Sequence, residues 1–89
     1  MIQVQRIDPT NFEVTVQGRA TTTHRVTLSA EYHHKLTAGR VSPETLISKS
    51  FDFLLQRESN TSILRTFDLP LIGHYFPEYE KVIIKMLAE

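Results

Sequence analysis

The chain has 89 residues, 40% of them hydrophobic and 22% charged, with ten Lys or Arg balanced by ten Asp or Glu, and no cysteine. That length gives one domain with one modest core, burying roughly 60 to 65% of the surface the unfolded chain exposes. Balanced charge supplies no long-range field for phosphate or an anionic membrane, and the lack of thiols excludes disulfides, thiolate metal ligands and thiol nucleophiles.

The opening stretch MIQVQRIDPTNFEV has no apolar run of signal-peptide length, and no segment approaches the roughly 20 apolar residues of a membrane helix. A soluble, cytoplasmic protein is expected. Residues 2 to 7, 12 to 17 and 23 to 28 read as strands, because apolar side chains alternate through Phe12, Val14 and Val16 and again through Val26 and Leu28. Asp8-Pro9-Thr10-Asn11 is turn chemistry, and Gly18 opens the second connection. Short connections predict a three-stranded antiparallel meander. One face carries Val4, Phe12, Val14, Val16, Val26 and Leu28, and the other carries Gln3, Gln5, Glu13, Thr15, Gln17, Thr23, Arg25 and Thr27.

After Leu28 the period changes. Ser29 is placed to cap a short helix through Leu36, with Gly39 positioned to end it. Ser42-Pro43-Glu44 is a stronger helix start: a cap, a proline at the first helical position and an acid at the positive end of the dipole. Leu46, Ile47, Phe51, Leu54 and Leu55 then form an apolar stripe to about Arg57. A third helical piece is expected near Thr61 or Ser62, with Ile63, Leu64 and Phe67 at helical spacing. Asp68-Leu69-Pro70 reads as a further capped start, interrupted at Pro77, and a last helix runs from about Glu78 toward Leu87. The expected architecture is a single α+β domain over residues 1–89, a meander followed by three or four short helices packed on one face of the sheet.

From His24 onward, and most specifically in Ser42-Pro43-Glu44, Phe51-Asp52-Phe53-Leu54-Leu55 and Tyr75-Phe76-Pro77, the chain resembles a family of small uncharacterised bacterial proteins. The resemblance covers about the last two thirds of the chain. It implies a compact α+β domain from a bacterium, and brings no activity, cofactor or catalytic residue with it.

Three of the four histidines lie in TTTHRVTLSAEYHHKL. His24 shares the parity of Val26 and Leu28, which puts it at the boundary of the buried face. His33 and His34 are neighbours on a helix, so they diverge by about 100° and do not converge on one metal. Neither His74, Glu31 nor Glu78 completes a H-E-x-x-H-like spacing, so no metal or other cofactor is expected. There is no G-x-S-x-G elbow and no glycine-rich phosphate loop. A small one-core domain also has little room for a deep pocket. A non-enzymatic protein is expected.

The polar sheet face offers one clear cation, Arg25, opposed by Glu13, and no aromatic side chain on which a base could stack. In the helical half, Phe53 and Ile84 fall off the apolar stripes, and Tyr75-Phe76-Pro77-Glu78-Tyr79 crowds three aromatics into one short stretch. Two accounts compete there: small helices that need wide apolar arcs, or an exposed patch for a partner. The expectation is a protein-interaction module or self-associating accessory protein, with Phe53, Tyr75, Phe76, Tyr79 and Ile84 as the candidate partner surface. A nucleic-acid-binding module using the polar sheet face is the alternative, and a small metal- or ligand-dependent enzyme comes third.

Overall fold

The computed structural model describes residues 1–88, and in it the alternation through Phe12, Val14 and Val16 becomes a sheet with one buried face. Strands β1 (Ile2–Arg6), β2 (Asn11–Gln17) and β3 (Thr21–Thr27) form the expected antiparallel meander. Register sets Val4 against Val14, Val14 against His24 and Phe12 against Val26, so these inward positions share one face. Asp8 fixes the first turn. Its Oδ1 accepts from the backbone N–H groups of Thr10 at 3.0 Å and Asn11 at 2.9 Å. Those bonds, the one from Thr10 foremost, hold its carboxyl below the usual carboxylate range.

Helix α1 (Ala30–Thr37) is capped by the Ser29 hydroxyl, which accepts from the Tyr32 N–H. The left-handed residue that closes it is Ala38, at φ 53°, and Gly39 follows at φ +75°. Helix α2 (Pro43–Leu55) starts as its signature requires, with Ser42 Oγ accepting from the Thr45 N–H at 3.1 Å. Leu46, Ile47, Phe51 and Leu54 go into the same core as Phe12, Val14, Val26 and Leu28.

The stretch after α2 departs from expectation. Where a third helical piece was expected there is a short 3₁₀ turn, Asn60–Ser62, and then β4 (Thr66–Asp68). β4 lies parallel to β3, with Phe67 beside Val26. The Arg25 N–H donates to Arg65 O at 2.7 Å, and the Leu69 N–H donates to Thr27 O at 2.9 Å, so the pairing extends past both ends of the short strand. The sheet is therefore four-stranded and mixed, in the order β1-β2-β3-β4, with α1 and α2 in the crossover that a parallel pair needs. Ile63 and Phe67 do enter the core, as helical spacing required, but the backbone between them is satisfied by β3.

Asp68, read as a helix cap, belongs to β4. Helix α3 (Leu71–Tyr75) begins after Pro70 without a side-chain cap. Helix α4 (Tyr79–Ala88) closes the fold, burying Tyr79 and Ile83. Among the described residues no helix is long and apolar enough to cross a membrane.

Candidate functional site

The five candidate surface residues separate. Phe53 and Tyr79 are both 0% exposed and belong to the core, so their assignment to a partner surface is corrected. The cause is a second apolar face on α2. The Phe53 ring meets Tyr79 at 5.2 Å and Phe76 at 5.8 Å between centroids, and the Arg57 guanidinium lies 3.6 Å above it. Arg57 is held there by the Phe53 carbonyl, to which Nη1 donates at 3.1 Å, and by Glu78 at 3.4 Å. Tyr79 is anchored by its polar tip. Ser50 Oγ donates its proton to Leu46 O at 2.7 Å, so the Tyr79 hydroxyl, 2.6 Å away, donates to Ser50.

Tyr75 and Ile84 are exposed, by 62% and 48%, and Phe76 is half-buried. Ile84 stands apart, over a shallow dent of about 100 Å³ bordered by Leu36, Val41 and Leu87. Tyr75 and Phe76 instead line an open groove of about 360 Å³. Its walls come from four places. The last turn of α2 gives Leu54, and just beyond it stands Glu58; Ser62, Ile63 and Leu64 come from the loop before β4. Phe67 is on β4, and α3 contributes Leu71 and Ile72 besides Tyr75. Leu64 is 48% exposed, an apolar side chain at the groove that periodicity had assigned to a helix. Its signal in the sequence was slight: two apolar residues, Ile63 and Leu64, between polar neighbours, with room inside for only one.

His24 secures this loop. It is fully buried, and its Nδ1 lies 2.8 Å from Leu64 O. A carbonyl only accepts, so Nδ1 carries the proton; Nε2, 2.9 Å from Thr22 Oγ1, is then the acceptor in the neutral ring. Asn60 Nδ2 completes the relay, donating to Thr22 Oγ1 at 2.9 Å and to Ala20 O at 2.8 Å. Burial, assisted by the charge of Arg65, lowers the imidazole's affinity for a second proton, against the opposing effect of the Leu64 carbonyl. His33 and His34 diverge: Nε2 of the half-buried His33 donates to Val41 O at 2.7 Å, while His34 is exposed. Among the described residues no three His, Cys, Asp or Glu side chains gather as a metal-binding group.

On the sheet's other face Glu13 is the cross-strand register partner of Arg25, which sets a carboxylate opposite that cation. Family models, curated proteins and solved structures give no match to the chain.

Proposed function

We propose that this chain is a non-enzymatic protein-interaction module of the bacterial cytoplasm, and that the groove between the end of α2 and α3 receives apolar side chains from a segment of a partner protein. The supporting observation is that Leu64 and Tyr75, 48% and 62% exposed, stand at one concave surface rather than scattered singly. Large apolar side chains left in water around a cleft are what a partner's anchor residue covers, and aromatic residues concentrate binding energy at such places. At about 360 Å³ the groove lies at the small end of the range for ligand sites, which suits a few side chains. Its lining is largely hydrocarbon, with Glu58, Ser62 and the Tyr75 hydroxyl as the polar groups.

Selection from phage-displayed random peptides tests the proposal. The wild-type domain is expected to enrich sequences with a large apolar anchor, and the double variant Leu64→Ser, Tyr75→Ser to lose them while keeping its melting temperature. If nothing is enriched, or the double variant binds the same peptides equally well, the groove is not a docking site. Sedimentation at rising protein concentration separates one other occupant: association of the wild type that the double variant lacks assigns the groove to a second copy and overturns the partner-segment proposal.

A further inference from the structure

Given the docking role proposed for the groove, we infer that the segment it receives carries a lysine or arginine beside its apolar anchor, placed to meet Glu58. Among the described residues Glu58 is the only charged side chain lining the groove, and it is half-buried. Its carboxylate has neither an ion pair nor a side-chain hydrogen bond among the described residues. Among the described residues the two ion pairs join Lys35 to Glu80 and Arg57 to Glu78. Arg57, its neighbour in sequence, is committed elsewhere, over the Phe53 ring and against Glu78.

Glu58 also sits just past the C-terminal end of α2, a helix with no basic residue in its last turn. The end of the helix dipole therefore adds negative potential to that of the carboxylate, and Arg57 takes only one of its carbonyls. Laying an apolar segment along the groove strips water from a charged group, which is costly unless a counter-charge arrives with the segment. A cation adjoining the anchor turns that cost into a charge-assisted hydrogen bond. The same feature gives selectivity, because a purely apolar or an acidic segment leaves Glu58 buried and unpaired.

Two phage libraries of random peptides provide the test, one with Lys and Arg excluded from the random positions. Enrichment is expected from the complete library, with a basic residue recurring at a fixed spacing from the anchor. By fluorescence anisotropy, Glu58→Gln is expected to weaken the selected peptide about ten-fold, equivalent to 1.4 kcal/mol. Replacing the peptide's cation by glutamine should weaken the wild type by a similar factor and Glu58→Gln hardly further. Glu58→Gln should leave the melting temperature unchanged. If peptides from the library without Lys and Arg bind as tightly, and Glu58→Gln changes nothing while Leu64→Ser abolishes binding, the cation requirement is wrong and the groove remains a docking site. If neither library is enriched, both proposals fall.

Discussion

His24 shows how much a single side chain can organise. Its ring joins the middle of β3 to the loop carrying Leu64, forty residues away, and packs on Phe51 at 5.3 Å between ring centroids. The donor chain from Asn60 runs through Thr22 to the neutral ring and on to Leu64 O, and no buried polar side-chain atom in it lacks a partner. Because burial lowers the folded-state pKa, the unfolded chain, with an ordinary histidine near pH 6.5, binds the proton more readily. The sign follows. His24 contributes its full stability above about pH 6.5, and that contribution falls as the pH drops from there toward the folded-state pKa. His24→Asn keeps a donor for Leu64 O but cannot titrate. The urea midpoint of the wild type should therefore exceed that of the variant most near pH 8, with the gap narrowing toward about pH 5. A gap that stays constant over this interval would mean that His24 does not titrate with folding. Parity with Val26 and Leu28 gave the face but placed His24 only at its boundary, whereas it is fully buried; the bond to Leu64 was not legible, since nothing local marks a partner forty residues away.

At the scale of elements, local signals placed what local chemistry decides. The meander follows from alternation and turn residues, and α1 and α2 start at Ser29 and Ser42 because those hydroxyls accept the first free N–H groups. β4 escaped because three residues are too few to show a period, and Ile63, Leu64 and Phe67 fit helical spacing equally well. What decided the matter was the free edge of β3, which lies outside any sequence window. Half of the groove was hidden for the same reason: Tyr75 and Phe76 stood out as clustered aromatics, whereas Leu64 reaches the groove only through the loop leading into β4. Phe53 and Ile84 both lie off their helix stripes, yet Phe76, just past α3, and Tyr79 of α4 cover the second face of α2, while Ile84 is left half in water. Phe53→Ala should thus cost about 3 to 5 kcal/mol. Ile84→Ala should stay within about 0.5 kcal/mol. Urea unfolding compares them, and equal losses would refute this account of which helix faces are covered.

For the molecule as a whole, the radius of gyration of 12.0 Å matches the value of about 12 Å for a single packed domain of this length. The groove is accordingly a furrow in one body rather than a gap between two. Its walls run from Leu54 to Phe76 and are tied to the sheet twice, by the β3–β4 pairing and by the relay through His24. Those walls disperse when the chain unfolds, so an occupant bound to the groove binds the native state alone and must stabilise the entire fold. A groove-selected peptide at 100 times its Kd should add about 2.7 kcal/mol. For a domain of this size that raises the melting temperature by roughly 10 °C or more. The Leu64→Ser, Tyr75→Ser variant should melt close to the unliganded wild type, because Leu64 is about half and Tyr75 mostly in water, and the peptide should leave its transition unmoved. A rise of the same size in the variant would place the peptide elsewhere on the molecule. A wild-type transition unmoved at saturation would show that the peptide binds the unfolded chain as well, which a groove assembled only by folding cannot do.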